Sequence, residues 1–91
     1  MKKLVKIFKA LGNESRVKIV LLLQKEGKKS VGELSRSIRI DVKATSQHLK
    51  ILDSTDLVRK EKIKNYVYYS LVKFPQDSLR KKITDIIEGI K

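Results

Sequence analysis

A mainly α-helical domain carrying one β-hairpin is the fold this sequence predicts, and three observations predict it. Apolar residues recur at spacings of three and four through most of the chain. Helix-capping side chains, Asn13, Ser30 and Asp41, stand immediately before three of those stretches. The segment 57–71 drops the helical period and is instead rich in aromatic and β-branched residues around Lys64-Asn65. The 91 residues leave room for one domain, taken as 1–91, which excludes a multidomain enzyme. A chain of this size buries only about 60–65% of its unfolded surface, so a partner subunit would help it.

Leu4, Ile7, Phe8 and Leu11 share one face of a first helix over 3–11, which stops at Gly12-Asn13. Asn13 then caps a helix over 14–26. That helix is apolar on most sides through Val17, Ile19, Val20, Leu21, Leu22 and Leu23, and should be the central buried one before Gly27 ends it. Ser30 caps a short helix over 31–38, with Glu33 at the third helical position completing a capping box and Val31, Leu34 and Ile38 turned inward. Arg39, Ile40 and Asp41 follow, and Asp41 caps a helix over 42–53. Thr45, His48, Leu49 and Leu52 fall on one side of this helix, while Lys43, Ser46, Gln47 and Lys50 fall on the other. Two short helices joined by three residues form a helix-turn-helix pattern.

Residues 57–63 and 66–71 read as two strands of a hairpin. Val67, Tyr69 and Leu71 alternate with Tyr66, Tyr68 and Ser70, so one face can pack on the helices and the other meet solvent or a ligand. Asn65 suits a positive φ at the tip, although the favoured Asn-Gly pair is missing and the turn type stays open. After Pro75, Leu79, Ile83, Ile86 and Ile90 repeat at four, three and four, with Ile87 alongside, in a helix over 76–90. Such a seam suits helix-against-helix packing, with a dimer axis as one place for it.

Lys and Arg number 22 against 10 Asp and Glu, a formal net charge of +12. That excess is costly self-repulsion unless a polyanion is the partner, and nucleic acid is the commonest one. It is also clustered: Lys2, Lys3, Lys6 and Lys9 open the chain, Arg80-Lys81-Lys82 form a block, and Arg59, Lys60, Lys62 and Lys64 crowd the hairpin against a single Glu61. An anionic membrane surface would want a basic helix with bulky aromatic groups, and the chain has no Trp. The longest apolar run, Ile19 to Leu23, falls far short of the ~18 residues of a membrane span, and no signal-peptide core opens the chain. A cytoplasmic location is therefore expected. With no cysteine and one histidine, disulfide, thiolate and zinc-cluster chemistry are excluded and no cofactor is expected.

The stretches FKALGNESRVKIVLLL (8–23), SVGELSRSIRIDVKATSQHLKIL (30–52) and LVRKEKIKNYVYYSL (57–71) together resemble the ArsR family of winged helix-turn-helix transcriptional repressors, from Phe8 to Leu71. The resemblance implies a dimer built from the first and last helices, a recognition helix at 42–53 and a wing at 57–71. The dimerising residues would be Leu4, Ile7, Phe8, Leu11, Leu79, Ile83, Ile86, Ile87 and Ile90. Many members of that family sense metal through cysteines near the start of the third helix, where this chain has Ser30 and Gly32. On the last helix, where others bind zinc, it offers Asp77, Asp85 and Glu88 without a histidine. No metal site is expected. Arg39 and Lys64 stand where the family places glycines in the turn and at the wing tip. A non-glycine residue at positive φ costs of order 1 kcal/mol, which leaves those two turns open.

The expected function is a homodimeric, sequence-specific regulator on double-stranded DNA, a repressor by resemblance, in a prokaryotic or archaeal-type cytoplasm. Its small-molecule effector, if it has one, is not legible. Lys43, Ser46, Gln47 and Lys50 would meet base edges and phosphates, and Arg59, Lys60, Lys62, Lys64 and Asn65 would meet the backbone or the minor groove. The same helix face also suits mere solvation, and the wing lysines also suit protection of an edge strand. His48 reads as a core-side histidine satisfied by backbone or water, and the tyrosines as hairpin and core packing. No buried carboxylate is placed to orient His48 and no glycine-rich oxyanion turn accompanies the nearby serines, so no enzyme is expected. A sequence-indifferent nucleic-acid-coating protein and a winged-helix protein-interaction module are the alternatives.

Overall fold

The computed structural model describes residues 2–72, the side chain of Lys3 aside. In chain order come α1 (Lys2–Leu11), α2 (Glu14–Glu26), β1 (Lys29–Ser30), α3 (Val31–Ile38), α4 (Val42–Ser54), β2 (Val58–Ile63) and β3 (Tyr66–Leu71). The helix expected over 76–90, with Leu79, Ile83, Ile86, Ile87, Ile90 and the carboxylates Asp77, Asp85 and Glu88, lies outside the described residues.

The caps do what their positions promise. Asn13 accepts from the Arg16 amide at 3.1 Å, and Gly27 leaves α2 at φ 82°, its N–H donating to the Leu23 carbonyl. Both arms of the capping box are made: the Glu33 amide donates to Ser30 Oγ at 3.2 Å and the Ser30 amide to Glu33 Oε1 at 3.0 Å. These donors to the carboxylate hold Glu33 below its usual pKa.

Ile19, Leu23, Leu34, Leu49, Leu52 and Val58 form the centre of the core, with Ile7, Leu11, Val20, Leu22, Val31, Ile38, Tyr69 and Leu71 packed around it. Each fully buried aliphatic side chain contributes roughly 1.5–3 kcal/mol. α2 is the central helix, touching α1, α3, α4 and β3. Its apolar run is not buried on most sides as expected, because Leu21 stands 56% exposed. With 3.6 residues per turn, Leu21 lies about 200° around the helix from Ile19, and α2 has only one inward side.

The sheet has the order β1-β3-β2, antiparallel throughout. β2 and β3 pair from Val58↔Leu71 to Ile63↔Tyr66, which makes the hairpin loop the two residues Lys64 and Asn65. Lys64 takes the positive φ, 56°, and Asn65 does not. A positive φ at the first central position alone is the φ pattern of a II′ hairpin turn rather than of I′, which needs it at both. The short β1 was not expected; it adds Lys29↔Tyr69 and Ser30↔Tyr68 to the other edge of β3.

Candidate nucleic-acid interface

The turn between α3 and α4 is built around Arg39, which adopts φ 59°, ψ 46°. Arginine therefore occupies the left-handed position directly, at a cost of order 1 kcal/mol that the surrounding bonds offset. The Arg39 amide donates to the Ser35 carbonyl, the Ile40 amide reaches the same oxygen at 3.3 Å, and the buried Ser35 hydroxyl donates to the Ile40 carbonyl at 2.5 Å. Asp41 then starts α4 by accepting from the Ala44 amide at 2.7 Å. Thr45 turns its hydroxyl back to the Asp41 carbonyl at 2.9 Å, which lets it sit fully buried.

With Thr45, Leu49 and Leu52 inside, Lys43, Ser46, Gln47 and Lys50 are all exposed. They occupy two adjacent rows of the helix surface, Lys43 one turn before Gln47 and Ser46 one turn before Lys50. Val42, on which the sequence placed no role, starts the same surface and is 54% exposed. Its spacing of three from Thr45 reads as part of the inward stripe, which hid it. Asp53, the nearest carboxylate, lies at the far end of α4, close enough to Tyr69 to add its charge to burial in raising that phenol's pKa.

α4 is held to the body by Arg16. Its Nε donates to the Ala10 carbonyl at 2.6 Å, and its Nη1 lies 3.3 Å from His48 Nδ1. A guanidinium has no acceptor, so a hydrogen bond here requires His48 Nδ1 to be the unprotonated nitrogen of a neutral ring. Burial first, and then the Arg16 charge, hold the imidazole below its usual pKa. The partner expected for His48 was backbone or water; it is instead a side chain thirty-two positions away, which no local pattern reveals.

In the wing, Arg59, Lys60, Lys62, Lys64 and Asn65 are all exposed. Its single carboxylate, Glu61, is paired with Lys28 at 2.5 Å. Tyr69 packs on the core as expected and Tyr68 is half-buried, but Tyr66 is 65% exposed, tilted against Tyr68 with ring centroids 6.5 Å apart. Of the apolar residues assigned to a dimer on α1, Leu4 is buried, Ile7 and Leu11 pack against the subunit's own core, and Phe8 is 55% exposed beside Val5 at 49%. Among the described residues no three His, Cys, Asp or Glu side chains come together as a metal-binding group, and no helix is long and apolar enough to cross a membrane.

A short helix, a tight turn, a second helix with one polar face outward and a basic hairpin beside it define a winged helix-turn-helix domain. Residues 13–60, just over half of the chain, match the bacterial regulatory proteins of the arsR family, and the chain belongs to that family. The transcriptional repressor SdpR of Bacillus subtilis is 31% identical over 91% of this chain and 92% of its own length. The structure of HlyU from Vibrio cholerae superposes with a TM-score of 0.75 at 32% identity, covering 93% of this chain and 91% of that one. A homodimeric winged helix-turn-helix DNA-binding domain from Mycobacterium bovis, 22% identical, gives a TM-score of 0.75 over 97% of this chain and 80% of its own. Two further curated relatives, 36% and 39% identical, are longer: the chain spans 54% and 63% of their lengths.

Proposed function

We propose that the chain is a sequence-specific double-stranded DNA-binding regulator of transcription, a repressor acting in the cytoplasm as a homodimer. The observation that carries this reading is the division of α4: Thr45, Leu49 and Leu52 are sealed into the core, and Lys43, Ser46, Gln47 and Lys50 are left to solvent, with the helix's one carboxylate, Asp53, exposed only near its far end. An α-helix fits the major groove. There Gln47 has the geometry to read adenine through N6 and N7, Lys43 or Lys50 can reach guanine O6 and N7, and Ser46 serves either. Arg59, Lys60, Lys62 and Lys64 reach phosphates from the wing, with Asn65 at the tip. Two copies related by a two-fold axis would place their recognition helices in successive major grooves about 34 Å apart, on an imperfect palindrome. Val5 and Phe8 supply exposed apolar surface on α1 for the second copy, with Leu79, Ile83, Ile86, Ile87 and Ile90 as the remaining candidates. The assignment as a repressor follows SdpR, the full-length relative named as one.

Selection of bound sites from a random duplex pool tests specificity, symmetry and spacing together. Gln47→Ala and Lys43→Ala should each relax base preference by roughly 1–3 kcal/mol, while Lys62→Ala weakens all sequences alike and flattens the salt slope. Equal affinity for selected and random duplex at every salt concentration would favour the sequence-indifferent coating protein instead. Failure to retard any duplex would favour a protein-interaction module.

A further inference from the structure

Val42 is the first residue of α4, and the fold leaves it bare. It follows the Asp41 cap and stands three residues before buried Thr45, a spacing that normally takes an aliphatic side chain inward. Yet it remains 54% exposed, while Thr45, Leu49 and Leu52 further along the stripe are fully covered. The body thus covers Thr45 and part of Ala44 in the first turn of α4 and leaves Val42 and Lys43 to solvent. Val42 lies one turn before exposed Ser46 and beside exposed Lys43, so this apolar patch is framed by groups suited to base edges and phosphates. In helix-turn-helix docking the N-terminal residues of the second helix come closest to the bases. The one apolar group on the major-groove edge of an unmodified base pair is the C5-methyl of thymine.

We infer that Val42 reads the 5-methyl group of a pyrimidine, giving each half-site a preference for thymine at one position. The inference rests on the DNA-binding reading above and deepens it. Val42 is stiff at χ1, so the contact is made by a side chain with little rotamer freedom to lose. The same methyl group is carried by 5-methylcytosine.

The test uses a duplex selected by the full chain, with each thymine replaced in turn by deoxyuridine, which removes only the methyl group. Fluorescence anisotropy at fixed salt gives the affinity of the wild-type chain, Val42→Ser and Val42→Asn, neither of which keeps a methyl group to meet the base. One thymine per half-site should show about a fourfold loss on replacement with the wild-type chain, the amount expected for burying one methyl-sized group. With either variant the same replacement should change affinity by less than about 1.5-fold, a bound set well below that one-methyl loss. At that position 5-methylcytosine should bind more tightly than cytosine with the wild-type chain and equally with the variants. Circular dichroism melts of both variants should match the wild type, because the side chain is not part of the core. A selected site with no thymine whose methyl effect depends on Val42 overturns the inference and leaves the DNA-binding reading intact. A chain that selects no site overturns both.

Discussion

Replacing Arg16 by Met should cost about 2 kcal/mol of stability, a large share of the roughly 5–15 kcal/mol a domain has. Ala10 lies in the last turn of α1, where backbone carbonyls have no partner within the helix, and the residue is 2% exposed. Its carbonyl is satisfied by Arg16 Nε at 2.6 Å. Leaving a buried carbonyl unpaired costs about 1–3 kcal/mol, and losing the bond to His48 adds about 0.5–1.5 kcal/mol. Arg16 is only half-buried, so water takes over part of both contacts and the lower half of that range applies. In a urea titration followed by circular dichroism, the midpoint should fall by about 1 M for an m-value near 2 kcal/mol/M. The thermal midpoint should drop by about 8–16 °C. Lys at the same position carries its donors on one nitrogen, which cannot stand where both Nε and Nη1 stand, so Arg16→Lys should recover no more than about half of the loss. A midpoint for Arg16→Met within about 0.2 M of wild type, a fifth of the predicted energy at that m-value, or full recovery with Lys, would refute this account of how α4 is fastened.

Two other outcomes are expected. Because His48 in the folded chain is held below its ordinary value of 6.5, the unfolded chain takes up the proton first; stability is complete above about pH 6.5 and falls as pH drops from there toward the folded-state value. Urea titrations from pH 7.5 down to 5.5 should show this for the wild type and not for His48→Asn, whose Oδ1 can still accept from Arg16; parallel curves would contradict it. Arg39→Gly should raise stability by about 0.5–1 kcal/mol by relieving the left-handed backbone, read as a rise of a few degrees in the thermal midpoint. A lower midpoint would mean that the turn is not left-handed in solution.

The elements written most clearly in the sequence are those fixed by neighbours along the chain. Asn13, Ser30 with Glu33, and Asp41 each satisfy donors three residues away, so their caps follow from spacing alone. The exposure of Lys43, Ser46, Gln47 and Lys50 follows in the same way from the inward stripe of α4. Leu21 was less legible because a continuous apolar run does not say which of its members faces out. Val42 obeys the inward spacing and is nonetheless 54% exposed, which depends on what the tertiary fold packs beside it rather than on spacing. The Arg16–His48 contact and the pairing of β1 with β3 join residues more than thirty positions apart. Asp56, at φ 61° between α4 and β2, is a left-handed residue with no glycine to announce it.

Ser30 belongs to two structures at once. It ends β1, opposite Tyr68 of the wing, and its hydroxyl caps α3 at the entrance to the helix-turn-helix. No residue intervenes between β1 and α3, because the residue that closes one ladder begins the other. The hairpin and the helix pair are therefore tied through one shared residue, and their relative tilt depends on it. An agent that twists the hairpin would drag the mouth of α3 with it.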